Sequence, residues 1–391
     1  MITGVGIFGL LLGLLSVFFA TRLRTRLRIG VFLALYVTHV LAAVAYYQLV
    51  QTSVADTYLY YFDPYGIYNQ EGFGSNTILI IALVQFPKSY FGGSYLDYFL
   101  VFQAVGFFGL AALMRVFEEV YQEMEVDQPF YTYLILFMPS IHYWTSAIGK
   151  DSLFFFGLCI TFWAAMNHKR RFIVFGAGLL LMLAIRPHIA IVAGAAFTLA
   201  VLIDKNTRML IKVPLFAAGL AVTAYAAISL RSTFGIDVTN VDVFSDVLAG
   251  RDALLTTEDA GRSVVSGSFF FLLISLLFRP FFFDAPGAFG FVASVENLGV
   301  LAFIVTLFAF GRTVLTLFRR VPFVRYTLVA TVVITFVLTL GYYNVGLGIR
   351  QKATMILPGL MVLFVTTLAY RRAQRIAEVQ PPIVVGHPSL G

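Results

Sequence analysis

RLRTRLRIGVFLALYVTHVLAAVAYYQLV (22–50) sets four arginines within seven residues directly before 22 residues that hold no Asp, Glu, Lys or Arg. A helix of about 20 mainly apolar residues crosses a bilayer core, and a basic flank marks its cytoplasmic end. The stretch therefore reads as a membrane span running outward from a cytoplasmic cluster. The same ruler finds runs near 3–21, 29–50, 95–115, 129–147, 152–167, 172–185, 187–203, 211–230, 291–311, 326–344 and 353–370. Two runs fit poorly. TILIIALVQFP (77–87) is short, and SGSFFFLLISLLFRPFFF (266–283) carries Arg279-Pro280 near its end and is followed by Asp284 and Pro286. Both read as interfacial or re-entrant pieces, which membranes tolerate where protein or water satisfies the backbone.

Composition agrees. Of 391 residues, 60% are apolar and 12% charged, against roughly 45–50% and about 25% in soluble domains. A soluble enzyme, a disordered chain and a nucleic-acid binder are excluded. The 41 Phe and 20 Tyr suit a lipid-facing surface with aromatic belts. Cys159 is the lone cysteine, so intrachain disulfides, CxxC chemistry and thiolate zinc sites are excluded. The fold class expected is an all-α polytopic transmembrane bundle.

The basic clusters at 22–28, 168–171, 204–212, 311–325 and 371–375 fix the orientation. Placing all of them in the cytoplasm demands an even number of crossings between each pair, which the spans above satisfy. With Arg115, the inner side then takes 18 of the 27 basic residues. About 11 crossings follow, N-terminus outside and C-terminus inside. Counting 266–283 as a crossing would put the 311–325 cluster outside. Residues 1–370 read as a single integral membrane domain with a first outer loop 51–76, a long outer loop 231–265 and a re-entrant segment 266–290; 371–391 form a cytoplasmic tail. Charge follows the first apolar run instead of preceding it, so that run reads as a reverse anchor, not a cleavable signal. EEVYQEMEVD (118–127) reads as a solvated helix end, and His387 lies in a Pro/Gly-rich tail. No repeat suggests an inverted-repeat transporter.

The unusual residues collect on the outer side. VADTYLYYFDPYGIYNQEGFGSN (54–76) holds Asp56, Asp63 and five tyrosines; PSIHYWTSAIGKDS (139–152) holds His142, Lys150 and Asp151; AIRPHIA (184–190) holds Arg186 and His188. Arg279 follows in LLFRPFFF, and Arg350 with Lys352 in YYNVGLGIRQK. Each has an ordinary reading alone: a lone arginine at a helix end snorkels to headgroups, and Lys150-Asp151 makes a surface ion pair. Together, Lys150, Arg186, Arg279 and Arg350 come from four turns beside Pro or Gly. Arginine forks match phosphate oxygens, so the set suits a lipid-linked phosphate or diphosphate at the bilayer edge. Asp56 or Asp63 then serves as general base towards an acceptor hydroxyl, with tyrosines to stack on sugar rings. No P-loop and no HExxH occur. No cofactor or metal is expected, because Asp56, Asp63 and Asp151 show no spacing that selects a cation.

At these residues the chain resembles the bacterial polytopic glycosyltransferases of the C-type (GT-C) class and the related polysaccharide polymerases. The resemblance runs in order over roughly 50–360: the acidic residue in VADTYLYY, the PSIHYWTSAIGKDSL turn, LFRPFFFDAPGAFGFVASVEN, and NVGLGIRQKATMILP. GKDS and GIRQK with its downstream Pro are its most specific parts. It implies a GT-C-like bundle in the bacterial inner membrane, an undecaprenyl-phosphate- or diphosphate-linked sugar donor, an outer-face site and a role in surface or exopolysaccharide assembly. Other polysaccharide-assembly proteins and membrane lipids are the partners it implies. By that analogy Asp56 is the base with Asp63 its rival, Arg186, Arg279 and Arg350 contact the carrier phosphates, and Lys150 and Asp151 shape the site. The chain ends shortly after its last span, which leans towards a polymerase. A transporter or flippase of a lipid-linked glycan is the alternative.

Overall fold

All regular secondary structure among the described residues is helical; in this computed structural model they are 2–20, 26–53, 55–68, 77–205, 207–210, 212–213, 217, 265–285 and 287–379. The chain order begins α1 (Gly4–Leu15), α2 (Val17–Ala20), α3 (Arg26–Leu49), α4 (Asp56–Phe62), α5 (Thr77–Phe91), α6 (Tyr95–Glu123) and α7 (Tyr131–Leu134). It continues with α8 (Pro139–Thr145), α9 (Lys150–Met166), α10 (His168–Ile185), α11 (Pro187–Ile203) and α12 (Phe269–Phe278). Then come α13 (Gly287–Ala309), α14 (Gly311–Arg320), α15 (Pro322–Leu340), α16 (Val345–Gln351), a π-turn Lys352–Ile356 and α17 (Leu357–Val379). Of the expected span 211–230 only 212, 213 and 217 are described, of the expected loop 231–265 only 265, and the tail from 380, with His387, lies outside the described residues.

Five described helices are long and apolar enough to cross a bilayer: Leu27–Leu49, Tyr95–Glu123, Gly287–Ala309, Pro322–Leu340 and Val345–Val379. Helices α8 and α9 pass the same test together, bent by 117°. Large apolar side chains such as Phe8, Phe270 and Phe308 point away from the bundle at 59, 74 and 82% exposure. Water does not tolerate such a surface and lipid does. The protein is a multi-pass helical membrane protein.

Helix α6 is the axis. Its start is a capping box: the Ser94 N–H donates to Asp97 Oδ2 at 2.6 Å, and the Asp97 N–H donates to Ser94 Oγ at 3.3 Å. The Asp97 carboxylate also accepts from the Thr3 N–H (3.0 Å) and hydroxyl (2.9 Å), clamping the start of α1 beside it. From there α6 runs 29 residues, about 44 Å, longer than the roughly 30 Å hydrocarbon core. Helices α1, α3, α9 and α17 pack around it. At its far end the reading of 118–127 as a solvated helix end holds for the exposed Glu123, Glu125 and Asp127 but needs correcting for its first two residues. Glu118 and Glu119 are buried, held by Arg115, by Arg28 (3.4 Å to Glu118) and by Arg171 (2.8 Å to Glu119). Buried carboxylates require such partners.

One proline cuts a run that hydropathy reads as continuous, and a second marks a break it already reads. Pro139 lacks an N–H and opens α8, while Met138 before it is forced out of the helical region (ψ 117°). Residues 129–147 thus form two short helices and a 3-10 turn instead of one span. Pro187 likewise opens α11, leaving Arg186 in the turn. Residues 77–91 and 269–278 form the shorter helices α5 and α12.

Candidate functional site

Three helix ends and one interhelix turn meet at one place. Asp56 lies in the first turn of α4 and Asp151 in the first turn of α9, where the helix dipole favours a carboxylate. Arg186 occupies the α10–α11 turn, and Arg350 the last turn of α16. Asp151 Oδ1 accepts from Arg186 Nη2 at 2.9 Å, and its other oxygen accepts from Arg350 Nε. Arg350 Nη1 donates to Asp56 Oδ2 at 3.2 Å. The four side chains grade outward. Asp151 is 5% exposed, Arg186 15%, Arg350 21% and Asp56 62%, so Asp151 is the floor and Asp56 the mouth.

Aromatic faces line the arginines. The Arg350 guanidinium lies 5.7 Å from the Trp144 ring and that of Arg186 lies 5.9 Å from Phe154, within cation–π range. Arg186 Nε is buried and bonds to no group among the described residues. The space enclosed by Tyr46, Asp56, Thr57, Trp144, Ala147, Ile148, Gly149, Asp151 and Arg350 is about 20 Å³, room for about one water. Tyr60 is buried close by, 3.5 Å from the point a Gly149 Cβ would occupy. Burial first, then the Asp56 charge, pushes its phenol up, so it remains a neutral donor. Lys150, half-buried beside Asp151, feels the charges of Arg186, Asp56, Arg350 and Asp151.

The other expected residues lie elsewhere. Asp63 takes a left-handed conformation (φ 43°) at the end of α4, and its carboxylate accepts the N–H groups of Ile67 (2.8 Å) and Tyr68 (3.0 Å). It shapes the loop and makes no bond into the cluster. Arg279 pairs with Asp284 at 2.6 Å. His188 sits two residues beyond Arg186 with its ring in the same electrostatic field. His142 is turned inward, facing His39 Nδ1 at 3.2 Å and the Leu136 carbonyl at 2.9 Å.

Sequence reading passed over Trp144 and Tyr46 as site walls; Trp144 arrives there because the chain reverses at 146–149, and Tyr46 because α3 packs its ring 4.4 Å from that of Tyr143, neither of which spacing reveals. It also left Lys352 without a role. The Lys352 ammonium is buried, donating to the carbonyls of Leu277 (3.0 Å) and Arg279 (3.4 Å) and to the Asn297 side-chain oxygen. It pins the end of α12 to the π-turn directly after Arg350. Among the described residues no group of three or more His, Cys, Asp or Glu is placed to hold a metal ion. No family model, no curated protein and no solved structure matches this chain.

Proposed function

We propose that the protein transfers or polymerises sugars from a polyprenyl-phosphate- or diphosphate-linked donor at the outer face of the bacterial inner membrane, within a GT-C-like bundle of about 11 crossings. The carrying observation is that Asp56, Asp151, Arg186 and Arg350, four residues separated by up to 294 positions, form one ion-paired cluster. Two guanidiniums held in place by one buried carboxylate are preorganised for a phosphoryl group, and Arg186 Nε is a spare donor for it. An acceptor hydroxyl oxygen attacks the anomeric carbon, the bond from that carbon to the phosphate oxygen breaks, and the carrier phosphate leaves with the electron pair onto Arg186 and Arg350. Asp56 takes the hydroxyl proton once the carrier phosphate has drawn Arg350 away from it. Lys150 adds positive charge at the same edge.

The test is a reconstituted glycan-formation assay with Asp56→Asn, Arg186→Ala and Arg350→Ala, each checked for membrane insertion. Loss of product by at least a hundredfold in all three supports the reading; wild-type product from all three sinks it.

A second reading, transport of a lipid-linked glycan, draws on the 117° break between α8 and α9, because broken helices line transporter sites. Movement of labelled lipid without formation of a new glycosidic bond would favour it.

A further inference from the structure

The basic cluster 311–325 has a structural counterpart far from the acid–arginine site. Helix α14 lies between α13 and α15 and is two-faced. Gly311, Val314, Leu315 and Phe318, at helical spacing, line a cavity of about 770 Å³, while Arg312 and Arg319 flank that face and, with Arg320, are exposed. The remaining wall is apolar apart from two threonines and comes from α12, α13, α15, the π-turn and α17, with Phe269, Ile304, Phe336 and Leu360 among its residues. Several wall residues are exposed, Phe308 at 82% and Val332 at 58%, so the cavity opens sideways on the outside of the bundle. Its volume is in the range that holds a small-molecule ligand.

Two further features fix the charge at its rim. The Arg325 guanidinium caps the end of α14, donating to the carbonyls of Phe318 (3.1 Å) and Arg319 (3.0 Å), and ties it to α11 through Ala200 O (2.6 Å). Arg371 stacks on Phe310 at the α13–α14 corner, 5.1 Å from its ring, and its buried Nε bonds to no group among the described residues. Arg371 follows Arg350 by 21 residues of near-continuous helix, about 31 Å. The rim therefore lies across the membrane from the proposed transfer site.

We propose that this cavity binds one anionic phospholipid of the cytoplasmic leaflet, its acyl chains in the cavity and its phosphate on Arg312, Arg319, Arg320 and Arg371. An apolar slot open to the bilayer selects hydrocarbon, and an amphipathic helix with a basic face at that depth selects an anionic headgroup. No ion pair among the described residues involves Arg312, Arg319, Arg320 or Arg371.

The test measures lipid retention by native mass spectrometry, on full-length protein delipidated in detergent and offered phosphatidylglycerol or phosphatidylcholine at equal concentration. Wild type should retain phosphatidylglycerol at least tenfold over phosphatidylcholine. R312Q/R319Q/R320Q should lose that preference while keeping its helix content. Val332→Trp, which fills the slot and leaves the arginines intact, should reduce retention of both lipids. Equal retention of the two lipids by wild type, or an unchanged preference in the triple variant, overturns the proposal. So does displacement of phosphatidylglycerol by equimolar polyprenyl phosphate, which would make the cavity a carrier site. None of these readouts depends on glycan formation.

Discussion

Asp151 and Asp56 both bond to Arg350, yet they differ in what their loss costs. Asp151 is buried and satisfies two guanidiniums at once, and removing one partner of a buried pair costs about 3–5 kcal/mol. Asp151→Asn should therefore lower the unfolding temperature as well as abolish activity. Asp56 is 62% exposed, and an exposed pair is worth about 0–1 kcal/mol. Asp56→Asn should leave thermal unfolding near wild type while product formation collapses; a large loss of stability would mark Asp56 as a structural residue. Composition and spacing leave Asp56 and Asp63 open, two carboxylates seven positions apart in one tyrosine-rich loop, and only the resemblance ranks Asp56 first. The fold of that loop separates them, because Asp63 spends both oxygens on Ile67 and Tyr68. Arg186 and Arg350 are legible for a physical reason: a guanidinium near a proline or glycine break in an otherwise apolar run has few places to go except a polar site or the headgroups.

Helix breaks, more than helix lengths, build the site. Asp151 sits where α9 starts, Arg186 in the turn where α10 gives way to α11 and Arg350 just before the π-turn, and the reversal at 146–149 brings Trp144 over Arg350. That reversal rests against α6 at Gly106, where a Cβ would stand 1.9 Å from the Thr145 carbonyl oxygen. Gly106→Ala should push α6 and α8 apart, costing about 1–3 kcal/mol by overpacking, and should lower activity with no change to any charged residue. Differential scanning fluorimetry beside the transfer assay checks both; an unchanged melting temperature refutes the close approach. Hydropathy registers how much apolar surface a segment carries and is blind to where the segment turns. It therefore located α3, α6, α13, α15 and α17 well and ran 129–147 together. The short α12 was foreseen as a non-spanning piece because of Arg279-Pro280, while the lysine that anchors it lies some 75 positions away.

For the whole molecule, the orientation expected from the basic clusters is directly testable. Cys159 is fully buried in α9, so an impermeant maleimide has no native thiol to react with. In intact cells or right-side-out vesicles, Tyr65→Cys, in the exposed loop after α4, should label without permeabilisation. Arg320→Cys, at the end of α14, should label only after it. The opposite pattern would invert the topology and move the acid–arginine cluster to the cytoplasm.

The cluster's closed form carries a thermodynamic penalty for any incoming phosphate. With about 20 Å³ of free space, the ligand cannot simply enter; it must first win Arg350 from Asp56. Apparent affinity is then reduced by the fraction of molecules already parted, so under the proposed function the Asp56 carboxylate competes with the donor phosphate for Arg350. Removing that carboxylate should therefore separate two quantities that usually fall together. Asp56→Asn should bind the lipid-linked donor more tightly than wild type while turning it over least.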